Sequence, residues 1–344
     1  MVENNGSAPV AIVGAGMAGL AAARRLRADG FAVTLFDKGR GVGGRMATRR
    51  AGDVCFDHGA QFFTARGERF RAAVAQWCAA GVAAPWQAAA TNAATETPAG
   101  DPSPEPLFVG TPGMTAPCRA LAAGLPVVLG CTVTGLHRNG AGYGLSTAAG
   151  TIDAPSGAGF AAVLLAMPAP QALPLVAPLL PGWAGPLESM RYAPCWALMA
   201  GFEGRLELPA SQRPHDPVLR WIARDSGKPG RVENGTAVVA HATPDWSRTH
   251  LERPPEEIAP VLLARLRELT GLAAAPNHLA AHRWRYALVE QALGEPCLWD
   301  AEARLGFCGD GCLGPRVEAA FASGEALAAR VVAALKSRSS GSAP

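Results

Sequence analysis

The chain has 344 residues, 49% of them hydrophobic and 17% charged, with a net charge of +3 from 31 basic and 28 acidic side chains. That describes a globular protein with enough chain for a large core and two domains, and the balanced charge argues against nucleic acid as a partner. Only Lys38, Lys228 and Lys336 are lysines, so nearly all the basic charge is arginine.

The first predicted element is a buried strand, VAIV at residues 10–13. Gly14-Ala15-Gly16-Met17-Ala18-Gly19 follows it, and a helix then runs to about Asp29, with Gly30 as its stop. FAVTLFD is the next strand, ending at Asp37. The N-terminal apolar run is broken by three glycines and closes on arginines, so it reads as neither a signal peptide nor a membrane span. A cytoplasmic location without membrane contact is expected.

Residues 84–106, rich in Ala, Thr and Pro, read as a loop or domain crossing. VVLGCTVTGLHR and YGLSTAAGTIDA look like successive strands of a small antiparallel sheet, and FAAVLLAMPAP like a central parallel strand ended by prolines. Residues 172–300 mix Pro, Trp and short alternating runs, with one helix predicted from Pro255 to Leu269. RLGFCGD returns to strand character, and a long helix is predicted from Pro315 to Leu335. Residues 1–7 and 337–344 are expected to be disordered. The eight cysteines show no CxxC spacing, so no metal site is expected and free thiols are.

Three segments carry chemistry. In Gly14-x-Gly16-x-x-Gly19 the first glycine permits a tight turn, the second lets a pyrophosphate approach the backbone, and the third allows helix to pack on strand. The helix N-terminus offers free N–H groups to the phosphates. Asp37 can accept hydrogen bonds from both ribose hydroxyls of an adenosine, and its charge would repel a 2′-phosphate there. A second glycine-rich turn follows at once: Gly43, Gly44 and Arg45 can reach the pyrophosphate from its other side, whereas Arg49 and Arg50 are either further contacts or solvated charge. Far downstream, Gly309-Asp310 at a strand end precedes a helix opening near Arg316, whose positive end suits an anion forming on a reduced ring.

The three motifs together resemble the FAD-dependent amine-oxidase superfamily. More narrowly, the chain resembles the renalase-like bacterial oxidoreductases over most of its length. That likeness rests on DHGAQFFTARGERF (57–70), LLAMPAPQA (164–172), HATPDWSRTHLE (241–252), HRWRYA (282–287) and the C-terminal Gly-Asp helix. The resemblance implies an α/β (α+β two-domain) architecture: a Rossmann-type FAD-binding domain assembled from 8–80, 108–170 and 291–336, and an antiparallel-sheet substrate domain from 81–107 and 171–290. It implies non-covalent FAD, a dihydronicotinamide nucleotide reduced at ring position 2 or 6 as substrate, and O2 as electron acceptor.

On this reading the cofactor contacts are Gly14, Ala15, Gly16, Met17, Ala18, Gly19, Asp37, Lys38, Gly43, Gly44, Arg45 and Met46. His58, Gly59, Ala60, Gln61, Phe62, Val133, Met167, Pro168, Gly309, Asp310, Arg316 and Val317 complete the set. Gln61, His241, Trp246, Arg285 and Tyr286 are the candidates for substrate contact or catalysis, and core packing explains the last four equally well. Two alternatives stay open: oxidation of a small amine, and a non-catalytic FAD-binding protein. Many amine oxidases of the superfamily place a water-holding lysine near flavin N5; here Lys228, in the loop SGKPG, is the one poor candidate.

Overall fold

The computed structural model describes residues 9–87, 105–154, 157, 159–231 and 234–340. They form two compact units: residues up to Gly44 with Cys118–Arg191 and the chain from Val289, and Arg45–Pro117 with Tyr192–Leu288.

The first unit is built on a six-stranded sheet in the order Leu298–Asp300, Leu305–Phe307, Ala162–Leu165, Val10–Val13, Val33–Asp37, Val127–Leu129. Only the Leu298–Asp300 pairing is antiparallel. Val10–Val13 and Ala162–Leu165 are buried throughout, as central parallel strands covered on both faces must be. Helix Met17–Ala28 and the C-terminal helix Val317–Ser340 pack closely, because a Cβ on Gly324 would fall 2.1 Å from the Ala18 carbonyl oxygen. A three-stranded antiparallel sheet, Val133–Asn139, Gly142–Thr147 and Gly150–Ile152, completes this unit.

The second unit centres on a five-stranded antiparallel sheet in the order Ser211–Gln212, Leu219–Arg224, Thr236–Ala242, Arg191–Phe202, His278–Gln291. Helix Pro255–Thr270 lays Ile258, Leu262, Leu263 and Leu266 on one face of it, against Trp196, Leu198, Phe202 and Val238. The helix starts at proline, carries Glu256 and Glu257 in its first turn, and ends on Gly271 with φ +70°. On a separate cluster of the same sheet, Phe56 of the hairpin Thr48–Ala51/Val54–Asp57 packs with Met199, Ala237 and Val239.

Several expectations change. Residues 45–80 and 108–117 group with the antiparallel sheet, because Phe56 is part of its core and Asp57 is bonded to Asp225. Residues 171–191 group with the first unit, where helix Ala169–Val176 buries Ala172 and Val176 directly after strand Ala162–Leu165. Val127–Leu129 joins the parallel sheet beside Val33–Asp37 instead of the small antiparallel one. A short helix, Asp310–Leu313, precedes the C-terminal helix, which begins at Val317 and leaves Pro315 outside. That helix continues to Ser340, so the backbone of residues 337–340 is helical; 1–8, 88–104 and 341–344 lie outside the described residues. Among the described residues no helix is long and apolar enough to cross a membrane.

Candidate active site

In the first unit the glycine signature sorts into packing glycines and one that packing does not need. Gly14 has φ +114°, and a Cβ there would lie 2.2 Å from the Ala166 carbonyl oxygen. A Cβ on Gly19 would lie 2.0 Å from the Gly14 oxygen. Both positions exclude any other residue. Gly16 has an ordinary φ of −81°, and a Cβ on it would meet nothing within 4 Å. The protein's own packing leaves the second position free, which is the arrangement expected where an external group approaches the turn.

Asp37 organises this turn. Its Oδ2 accepts from the Ala15 amide at 2.6 Å and its Oδ1 from the Gly39 amide at 2.7 Å. Each oxygen keeps a further lone pair for a ligand hydroxyl. The second glycine-rich turn is bonded to the first: the Gly43 amide donates to the Ala15 oxygen at 2.9 Å, and Gly16 and Gly43 form a parallel bridge. Gly43 and Gly44 have φ of +117° and +53°. Ala15, Met17 and Ala18 are buried and Lys38 is exposed.

The downstream strand ends lie beside the first. A Cβ on Gly309 would stand 3.8 Å from the Met167 oxygen, and the Gly309 amide donates to Ser323 Oγ at 2.9 Å. Asp310 is buried, Pro168 precedes helix Ala169–Val176, and Val133 is buried at the start of its strand. Arg316 and Val317 stand at the start of the C-terminal helix. The residues present fit a dinucleotide: a cradle of backbone N–H groups, a carboxylate with spare lone pairs, and a glycine kept clear of protein contact.

In the second unit the residues of DHGAQF form a clamped loop. The Arg45 oxygen accepts from the Ala60 amide at 2.8 Å, and a Cβ on Gly59 would lie 2.0 Å from that oxygen. Arg45 in turn donates to the backbone oxygens of Tyr286 and Ala287 at 3.3 and 3.4 Å. Met46 is buried. The His58 carbonyl takes two donors, Trp284 Nε1 at 2.9 Å and His241 Nε2 at 3.2 Å. A carbonyl partner fixes the proton of His241 on Nε2. Burial, and then the charge of Arg220, pushes the His241 imidazole down to about 3. Burial, and then His282, pushes His58 down to about 4. Both rings are neutral near pH 7.

Gln61 has its amide orientation set by its surroundings. Its Nε2 donates to the Asp57 oxygen, and its Oε1 accepts from Trp221 Nε1 at 3.1 Å and from Lys228 Nζ at 3.3 Å. Phe62 is half-buried against Trp221 and Trp86, with ring centroids 5.6 and 6.4 Å away. Lys228 Nζ also lies 2.5 Å from Asp225 Oδ1 and 3.3 Å from Asp57 Oδ2, and Arg231 lies 2.5 Å from Asp57 Oδ2. These four side chains are almost wholly removed from solvent. Burial pushes the Asp57 carboxyl up, but Lys228 and Arg231 outweigh it and hold Asp57 below its ordinary value. Asp225 is pushed up, by burial and then by Asp57.

The structure therefore brings Gln61, His241 and the backbone of Tyr286 to the segment Arg45–Phe62 and leaves two candidates elsewhere. Trp246 stacks on His250 at 4.1 Å and packs against the Trp196 cluster. Arg285 grips Glu252 through two hydrogen bonds of 2.7 and 2.9 Å. The buried charge quartet escaped sequence reasoning, since Lys228 and Asp225 sit in a Gly/Pro-rich stretch that reads as a surface loop. The one available signal was Asp57, at the head of a run with no generic structural purpose.

Comparison with known proteins accords with this geometry. A model described as an NAD(P)-binding Rossmann-like domain matches residues 12–77, and the flavin containing amine oxidoreductase model matches residues 87–332. The chain belongs to the flavin-containing amine oxidoreductase family, a family of FAD-dependent oxidoreductases.

Cyclohexylamine oxidase from Brevibacterium oxydans IH-35A superposes with a TM-score of 0.71 at 13% identity, covering 96% of this chain and 99% of that one. Putrescine oxidase bound to putrescine gives 0.67 at 14% identity, covering 95% and 99%. At these identities the likeness is one of fold: a Rossmann-like FAD-binding domain with an antiparallel substrate-domain sheet. The 4,4'-diapophytoene desaturase of Staphylococcus haemolyticus (strain JCSC1435) is 52% identical over 50 residues, 14% of this chain and 10% of the desaturase. That of Staphylococcus aureus (strain Newman) is 46% identical over the same length and shares. The chain thus spans about a tenth of the curated relatives it matches.

Proposed function

We propose that the chain is a renalase-like oxidase of dihydronicotinamide isomers, taking 2- or 6-dihydro-NAD(P) to NAD(P)+ with release of hydrogen peroxide. FAD, when bound, would supply the redox chemistry, hydride acceptance and two-electron transfer to O2. The chain's own part is to bind and orient. The amides of the Gly16 and Gly43–Gly44 turns hold the pyrophosphate, Asp37 the adenosine ribose, and Asp310 with the start of the C-terminal helix the far end of the cofactor. The clamped loop from His58 to Phe62 is the second unit's candidate for contact with the substrate ring.

The observation that favours this substrate class is the state of Lys228. It is the sole lysine of the second unit, and its ammonium is directed at Asp57, Asp225 and Gln61, leaving no N–H for a water. A reaction relying on a water-holding lysine has no lysine to use. Removing a hydride from a dihydronicotinamide leaves an aromatic pyridinium and releases no proton, so it requires neither base nor lysine. The test is anaerobic mixing of the FAD-loaded protein with 2-, 4- and 6-dihydro-NAD(P) and with a panel of amines, following bleaching of the flavin band. Faster bleaching by the 2- or 6-isomer supports the proposal. Faster bleaching by an amine, or none by any donor, overturns it.

A further inference from the structure

Arg49 stands opposite Phe56 in the register of the hairpin Thr48–Ala51/Val54–Asp57, so both side chains leave it on one face. Phe56 stacks on His278 with ring centroids 5.3 Å apart. Four residues along strand His278–Gln291, and therefore on the same face, His282 meets His58 edge-on at 4.8 Å. One exposed guanidinium and three imidazoles are thus gathered on one side of the hairpin.

Among the described residues no carboxylate pairs with Arg49, and His278 Nε2 is shielded from solvent without a hydrogen-bond partner. The nearby acids are committed elsewhere. Asp57 leaves the hairpin on the opposite face with Thr48, toward Lys228 and Arg231. Glu252 holds Arg283 and Arg285, which leave their strand on the face away from His278 and His282. Burial, and then the charge of Arg49, lowers both His278 and His282. An exposed guanidinium with no carboxylate partner, on the same side as three imidazoles, offers an anion charge and N–H donors together.

We propose that Arg49, His282 and His278 form a binding site for a phosphoryl dianion, built on residues other than those of the FAD cradle. The guanidinium supplies a forked pair of donors, and the imidazoles add N–H donors and charge as they protonate. Arg49 from the hairpin acts on both histidines and His58 from the loop after it meets His282, with Asp57 behind His58 already neutralised by its two cations. A dianion raises both imidazoles, so binding takes up protons and tightens as pH falls. The site does not depend on the dihydronicotinamide proposal. Its phosphoryl group can belong to a nicotinamide nucleotide or to a free inorganic anion.

The test is calorimetric titration of the full-length, FAD-loaded protein with inorganic pyrophosphate at about pH 6 and about pH 8, in buffers of different ionisation heat. Saturable binding is expected, roughly tenfold or more tighter at the lower pH, with net proton uptake. Arg49→Glu should abolish it, and His282→Gln should flatten its pH dependence. Arg50→Glu makes the same charge change on the neighbouring exposed residue and should leave the affinity within about threefold. Unfolding midpoints of the variants establish that each is folded.

NADP+ that displaces pyrophosphate in an Arg49-dependent way assigns the phosphoryl group to a nucleotide. Pyrophosphate binding that is Arg49-dependent but indifferent to NADP+ assigns it to a free anion. Absence of saturable heat at both pH values overturns the site, as does equal loss in Arg49→Glu and Arg50→Glu, or pH dependence surviving in His282→Gln. The dihydronicotinamide proposal fails by a different observation, the flavin band staying unbleached.

Discussion

Lys228 Nζ lies 2.5 Å from Asp225 Oδ1, with both side chains wholly inaccessible to solvent. Removing one partner of a buried ion pair strands the other, typically at a cost of about 3–5 kcal/mol. Lys228→Met leaves Asp57 and Asp225 sharing Arg231 alone, and we expect a loss of stability of about that size by denaturant unfolding. Adding Asp225→Asn should recover most of the loss, because it restores charge balance and keeps an oxygen for the Asp57 amide, which donates to Asp225 Oδ2 at 2.8 Å. A double variant no more stable than the single one would show that the pair is not the origin of the effect.

This quartet marks the limit of what the sequence disclosed. The parallel strands were legible because buried strands read as unbroken apolar runs, and Gly14, Gly16, Gly19 and Asp37 because their spacing is local. Helix Pro255–Thr270 announced itself by apolar spacing and by proline and glycine at its ends. The contacts of Gln61 were not legible, since Trp221 and Lys228 lie 160 and 167 residues away. Arg285 misled for the same reason: nothing local indicates that Glu252, 33 residues earlier, is its partner. The hairpin after Arg45 follows a Rossmann unit in sequence while its Phe56 packs with Met199 and Val239, a long-range contact that no local pattern indicates.

Acidification should destabilise the fold well above the carboxylate range. His58 and His241 are held down to about 4 and about 3, while an exposed imidazole titrates near 6.5. Lowered imidazoles contribute stability that is complete above about pH 6.5 and is lost as pH falls toward their folded values, because the unfolded chain protonates first. Between about pH 6.5 and 5 each such histidine costs up to about 1.4 kcal/mol per pH unit. His241→Gln retains a donor for the His58 carbonyl and removes one titrating group. The unfolding free energy of that variant, measured across this range, should fall less steeply by about one proton; an unchanged slope would remove His241 from the account.

Asp37 offers a test of the ribose assignment. Asp37→Ala deletes the acceptors for both the Ala15 and Gly39 amides, so it should loosen the turn and weaken FAD retention together. Asp37→Asn keeps one acceptor oxygen and should be less damaging in both respects. The absorbance of whatever flavin remains should be unaltered in either variant, since the proposal puts this residue at the adenosine end. Wild-type retention by Asp37→Ala on gel filtration would contradict the assignment.

The sharpest comparison sets Gly16 against Gly19, three residues apart in one motif. A Cβ on Gly19 would run into the Gly14 oxygen at 2.0 Å, so Gly19→Ala must push helix Met17–Ala28 away from its strand. We expect destabilisation of the cofactor-free protein by about 1–3 kcal/mol, the usual cost of overpacking. Gly16→Ala adds its methyl where no protein atom lies within 4 Å and at a φ that alanine adopts freely. Its cofactor-free stability should stay within about 0.5 kcal/mol of the parent. Its affinity for FAD should nevertheless fall by about tenfold or more if, as proposed, the pyrophosphate approaches the backbone at this turn. Unfolding of the stripped proteins and FAD titration of each separate the two effects. If Gly16→Ala binds FAD as the parent does, the pyrophosphate does not cross this turn.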